Sequence, residues 1–162
     1  MMFMGRGTRH SLHPVRLDSI GTSAPRARGN GVFRLSKGPV ISIVEDVAAV
    51  RAATENLVKS LGFDVYTFAS AREFLQSQRM AETACLISDV QMPIMSGIEL
   101  QTILIERGFR IPMIFVTAFL DPSVKRRAMD AGAVGFLTKP CNGRALFQLI
   151  QDAIRQRGGK AE

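Results

Sequence analysis

Apolar and polar positions along this 162-residue chain change rhythm near residue 39. Val40-Ile41-Ser42-Ile43-Val44 is a β-branched run that stops at two acids, Glu45-Asp46. Val50, Thr54, Leu57, Val58 and Leu61 then recur at helical spacing until Gly62 ends the helix. Val65 to Phe68 reads as a short strand. Ser70 reads as an N-cap, with Glu73 completing a capping box before Phe74-Leu75. Cys85 to Asp89 reads as a buried strand that ends in an acid. After the loop Met92 to Gly97, Ser96 caps a helix over Ile98 to Arg107. Ile111 to Val116 is the next strand and ends at Thr117. Asp121-Pro122-Ser123 opens a helix with Val124, Ala128 and Met129 inward, closed by Gly132. Val134 to Leu137 is the last strand, ending at Thr138-Lys139-Pro140. Ala145 to Arg157 carries Leu146, Leu149, Ile150, Ala153 and Ile154 along one side of a final helix.

Five strand–helix units with nearly continuous apolar strands predict an α/β fold whose parallel sheet is covered on both faces. Eight units would be needed for a barrel, so the expectation is a flavodoxin-like (βα)5 doubly wound sheet with strand order 2-1-3-4-5. Residues 39–157 hold this pattern. Residues 158–162 read as a short tail. Residues 1–38 show no apolar periodicity and are interrupted by six glycines, Pro14 and Pro25, so a flexible extension is expected there.

Charge sharpens that division. The chain carries 21 Lys+Arg against 14 Asp+Glu, a net +7, which invites a nucleic-acid hypothesis. Seven of those basic residues and only Asp18 lie in residues 1–38, leaving 14 basic and 13 acidic side chains in the rest. The excess therefore belongs to the arm and not to the folded part. The arm has few aromatics for base stacking, so weak, salt-sensitive contact is the most it predicts. Its His10 and His13 stand without further His or Cys and do not predict a metal site. The break in composition raises the expectation that native translation begins near Val32 or Leu35.

The longest apolar stretch, Met113 to Leu120, is too short to cross a bilayer. No charged n-region precedes an apolar h-region, so a cytoplasmic protein with no membrane attachment is expected. Cys85 and Cys141 show no paired or zinc-type spacing and read as reduced thiols. Lys125-Arg126-Arg127 reads as a solvated helix face.

The chemistry stands at the carboxyl ends of the strands, where ligands bind in open α/β sheets. Strand one ends in Glu45-Asp46, strand three in Asp89, strand four in Thr117 and strand five in Thr138-Lys139. Adjacent carboxylates repel unless a cation joins them, and an oxygen-only ligand set suits Mg²⁺ or Mn²⁺. A lysine and a hydroxyl beside such an ion are the groups that neutralise a phosphoryl group in transit. Asp89, alone on its strand opposite Lys139 and Thr117, is the candidate nucleophile. Glu45 and Asp46 form the candidate metal-holding pair.

Ile43 to Asp46, Leu86 to Gly97, Ile114 to Ala118 and Phe136 to Pro140 together resemble the four signature segments of bacterial two-component response-regulator receiver domains. The resemblance spans residues 39–157. Its texture is similar to the CheY-like receivers attached to helix-turn-helix transcriptional regulators. It implies that Asp89 accepts a phosphoryl group from a sensor histidine kinase or phosphotransfer protein. It implies that Glu45, Asp46, Asp89 and the backbone carbonyl of Gln91 hold Mg²⁺, and that Lys139 contacts the phosphoryl group. It further implies that Thr117 swings toward the phosphate and Phe136 turns inward, making these the switch residues. Val47 after the acidic pair and Cys141 after Pro140 depart from the family's usual residues.

The expected function is thus a single-domain response regulator in a phosphorelay, a phosphoprotein and not an enzyme. Only five residues follow the last helix, so no DNA-binding domain is expected and action through a downstream protein partner is. One alternative is a Mg²⁺-dependent aspartyl-phosphate phosphatase, disfavoured because such enzymes often carry an acid where Gln91 stands. The other is a nucleic-acid-associated protein using the basic arm.

Overall fold

The computed structural model describes residues 38–159. The basic extension and its HxxH pair, the expected start near Val32 or Leu35, and residues 160–162 lie outside the described residues. Ten elements alternate in the predicted order. They are β1 Val40–Val44, α1 Ala48–Ser60, β2 Asp64–Phe68, α2 Ala71–Gln76, β3 Thr83–Asp89, α3 Gly97–Glu106, β4 Met113–Thr117, α4 Pro122–Asp130, β5 Gly135–Thr138 and α5 Gly143–Gly158. The strands form one parallel sheet of order β2-β1-β3-β4-β5, as the pattern predicts. Among the described residues no helix is long and apolar enough to cross a membrane.

Successive strand side chains point to opposite faces, and this alternation divides the core in two. Ile41, Ile43, Cys85, Ile87, Ile114 and Val116 pack with Val58 of α1 and Leu146, Ile150 and Ala153 of α5. Val44, Leu86, Met113 and Phe115 pack on the other face with Phe74, Leu100, Leu104 and Ala128 of α2, α3 and α4. Both faces of the central strands are therefore closed to water, and their carboxyl ends are left as the open edge.

Local differences from the predicted pattern have local causes. β3 starts at Thr83 rather than at its apolar run. The Thr83 hydroxyl donates to the Arg79 carbonyl at 2.8 Å and lies 2.7 Å from the Ser42 hydroxyl, so a buried polar pair satisfies itself there. Met129, expected inward, is exposed, because Ala128 alone faces the core at that turn of α4. Ser70 caps α2 through the Glu73 amide, but the Glu73 carboxylate accepts the Ala69 amide instead of closing a box on Ser70. The full capping box forms at α3, where Ser96 and Glu99 bond each other's amides. Asp121 caps α4 through the Ser123 and Val124 amides, and Pro122 sits at its first turn.

Candidate metal and phosphoacceptor site

The register brings the predicted residues to one corner. Val44 pairs with Ser88, Asp89 with Val116, and Thr117 with Thr138, so the ends of β1, β3, β4 and β5 lie side by side. Glu45, Asp46 and Asp89 each offer a carboxylate oxygen within 4.8 Å of the others. Glu45 and Asp89 are buried while Asp46 is exposed. Lys139 reaches across from the loop after β5 and bridges the cluster. Its ammonium donates to Glu45 Oε2 and to Asp89 Oδ2, both at 2.7 Å. Its backbone amide donates to the Thr117 carbonyl at 2.9 Å, which extends the β4–β5 ladder and fixes where the side chain starts. The Lys139–Pro140 peptide is cis.

Burial is the largest single influence on Lys139 and works to pull its pKa down. The hydrogen bonds and charges of Asp89 and Glu45 outweigh it together and hold the ammonium above its ordinary value. Lys139 is therefore a permanent cation at neutral pH. Three carboxyl groups share this edge with the Lys139 ammonium, and such an oxygen-only donor set fits a hard divalent cation.

The remaining hydrogen bonds hold the two buried acids. Asp89 Oδ1 accepts the Gln91 amide at 3.1 Å. The Gln91 side chain itself is exposed. Glu45 Oε1 accepts the Val47 amide at 3.1 Å, and the Glu45 amide donates to the Phe68 carbonyl at 3.1 Å. Thr117 is buried, and its hydroxyl is engaged by its own loop, donating to the Phe119 carbonyl at 3.0 Å. Phe136 is half-buried and stacked on Phe115, with ring centroids 4.9 Å apart. All seven predicted positions thus fall at or beside one corner of the sheet, with Asp46, Thr117 and Phe136 making no hydrogen bond to the Glu45–Lys139–Asp89 cluster.

Three contributors escaped the sequence reading. The Ser88 hydroxyl donates to the Asp89 carbonyl at 2.8 Å. Gly97 lies so close that an added Cβ would stand 2.1 Å from that same carbonyl oxygen and 2.9 Å from Ser88 Oγ. Arg51 donates to the Glu45 carbonyl at 2.7 Å. A glycine at the first residue of a capped helix was the available signal for the close approach at Gly97.

Comparisons with known proteins agree with this geometry. The model of the response regulator receiver domain matches residues 41–151. Nodulation protein W of Bradyrhizobium diazoefficiens is 40% identical over 130 residues, covering 80% of this chain and 57% of that protein. The transcriptional regulatory protein TdiR of Thauera aromatica is 37% identical over 114 residues, covering 70% of this chain and 50% of that protein. The chain thus spans about half the length of these curated relatives. Among solved structures, response regulator StyR superposes with a TM-score of 0.70 at 40% identity, over 75% of this chain and 62% of that one. FixJ-N superposes with a TM-score of 0.66 at 31% identity, over 74% and 95%. A parallel sheet of order 2-1-3-4-5 that gathers three acids and a lysine at its carboxyl edge, matched over most of its length by this family's model, makes the chain a member of the response-regulator receiver-domain family.

Proposed function

We propose that this domain accepts a phosphoryl group on Asp89 from a phosphohistidine of a sensor kinase or phosphotransfer protein, with Mg²⁺ held by Glu45, Asp46, Asp89 and the Gln91 carbonyl. The observation that carries this reading is the Lys139 ammonium, 2.7 Å from both Glu45 and Asp89 inside a cluster of three acids. When bound, Mg²⁺ supplies charge neutralisation for the phosphoryl oxygens. An Asp89 carboxylate oxygen forms the new P–O bond as the donor's P–N bond breaks, and the electron pair leaves on the donor's imidazole nitrogen. Lys139 needs no large excursion to meet the incoming charge, because it already touches the acceptor carboxylate. The Gln91 amide holds the other Asp89 oxygen in place during attack.

The new phosphoryl group adds roughly −1.5 to −2 charge and strong acceptor oxygens. The Thr117 hydroxyl gains more from that state than from the Phe119 carbonyl it now serves, and this difference is what shifts a population. Phe136, stacked on Phe115 two residues before Thr117 on β4, is the aromatic that repacks when Thr117 moves. The surface that responds is α4, β5 and α5, where a downstream protein docks. The phosphoryl group is held for signalling and lost only by slow self-dephosphorylation; Gln91, two residues after Asp89, supplies no acid to protonate the leaving group of a phosphomonoester, which argues against a phosphatase.

Beryllofluoride with Mg²⁺ mimics the phosphoryl group. It should perturb the amides of Thr117 and Phe136 in NMR spectra of the wild type and leave Asp89→Asn unchanged. Silence in the wild type, or equal responses in both, contradicts the assignment.

A further inference from the structure

The β1–α1 turn holds its two acids very unequally. Glu45 is fixed on every side: its amide by the Phe68 carbonyl, its two carboxylate oxygens by the Val47 amide and Lys139, and its carbonyl by Arg51. Asp46 is exposed and makes no hydrogen bond among the described residues. The helix that follows brings no help. Val47 occupies the N-cap of α1 without a side-chain cap bond, and its first turn has no acid. Asp46 nevertheless stands within 4.8 Å of Glu45 and Asp89, so its place in the cluster depends on how firmly its neighbours hold the backbone around it.

We propose that Arg51 is a positioning residue for the cation site: its guanidinium, folded back from α1 to the Glu45 carbonyl, fixes the peptide that joins Glu45 to Asp46. That carbonyl belongs to the peptide whose nitrogen is Asp46's own, so the 2.7 Å bond acts on the one acid that has no bond of its own. Arg51 is half-buried and makes no ion pair among the described residues, so this bond is its visible use. The assignment rests on the reading of the three acids as a divalent-cation site.

The prediction runs against simple electrostatics, which makes it testable. Deleting a positive charge beside three carboxylates should tighten cation binding if charge were all that mattered. Loss of a positioning bond should weaken it. Mg²⁺ is titrated into the full ¹⁵N-labelled chain and followed at the Asp46 and Asp89 amides, with melting of each protein in EDTA as the second measurement. Arg51→Met should bind Mg²⁺ about tenfold more weakly, the size expected for losing one charge-assisted hydrogen bond. Arg51→Lys, which keeps a charged donor, should restore binding to within about threefold of wild type. Both should melt in EDTA close to the wild type.

Equal or tighter Mg²⁺ binding by Arg51→Met overturns the proposal. So does weakening shared equally by Arg51→Lys, or weakening that simply follows lost stability in EDTA. A wild type that gives no Mg²⁺ response overturns the cation-site reading together with it, whereas a wild type that binds and an Arg51→Met that binds alike overturns Arg51's part alone.

Discussion

Lys139→Met removes the ammonium that bridges Glu45 and Asp89 while keeping most of the stem that fills its place. Three carboxylates with oxygens within 4.8 Å then face one another without that bridging charge. Two unit charges at that distance repel by about 1 kcal/mol in water and by about 3.5 kcal/mol at an effective dielectric of ~20. Asp46 is exposed and contributes near the lower value, while the buried pair Glu45 and Asp89 contributes toward the upper. The Lys139 side chain keeps 19% of its surface exposed, which tempers the loss expected for a fully buried pair. The expected destabilisation of the metal-free domain at neutral pH is about 1–3 kcal/mol. Urea unfolding followed by circular dichroism in EDTA measures it.

Two further consequences give the prediction its sign. With the competing ammonium gone, Mg²⁺ should bind the variant more tightly, by about tenfold or roughly 1.4 kcal/mol, so the stability gap narrows as Mg²⁺ is added. The gap should also close at high pH. Because the native Lys139 pKa is raised, its stabilisation is present below the ordinary lysine value and is lost as pH rises through the native value. A variant as stable as the wild type in EDTA, or one whose Mg²⁺ affinity is unchanged or weaker, refutes this account of Lys139.

Other consequences follow from the same contacts. Gly97→Ala should destabilise the domain by about 2–4 kcal/mol in urea unfolding, because its Cβ would meet backbone oxygen at 2.1 Å; a loss under about 0.5 kcal/mol contradicts the close approach. Thiol labelling of the native chain should modify Cys141 slowly and Cys85 only on unfolding, since burial pushes both thiols up and Cys85 is fully enclosed, while Lys139 partly opposes the shift at Cys141. The Ser96 and Ser123 contacts hold Glu99 and Asp121 below the usual carboxylate range. Their caps therefore stabilise α3 and α4 above about pH 4 and fail as pH falls through the lowered native values; amide protection factors at Ser96 and Ser123, whose N–H groups those carboxylates accept, should fall there while that of Ile150 does not.

Much of this was legible because strand ends are short and chemically distinct. A β-branched run that stops at Glu45-Asp46 or Asp89 announces both the strand and what stands at its open edge. Register then converts four separate segments into one corner, and parallel order follows from the helices between them. Contacts made by backbone atoms were not legible. Arg51 meets a carbonyl, Gln91 serves Asp89 through its amide, and Gly97 matters for the atom it lacks, so side-chain chemistry gave no sign of them. Met129 failed for a different reason: α4 is so polar that one alanine, Ala128, suffices to seat it, and helical spacing overstated its buried face. Glu73 shows that a capping-box spacing specifies the pair of residues but not which amide the carboxylate finds.

The central claim is that Asp89 is the phosphoacceptor, assisted by Glu45, Asp46 and Lys139. The most direct test incubates the chain with a small phosphoramidate donor and Mg²⁺, reduces the product with borohydride, and locates the modified residue by tandem mass spectrometry. The account predicts one phosphoryl group per chain, reduction at Asp89 alone, and no uptake when EDTA replaces Mg²⁺ or in Asp89→Asn. Modification at another residue, or unchanged uptake by Asp89→Asn, would contradict it.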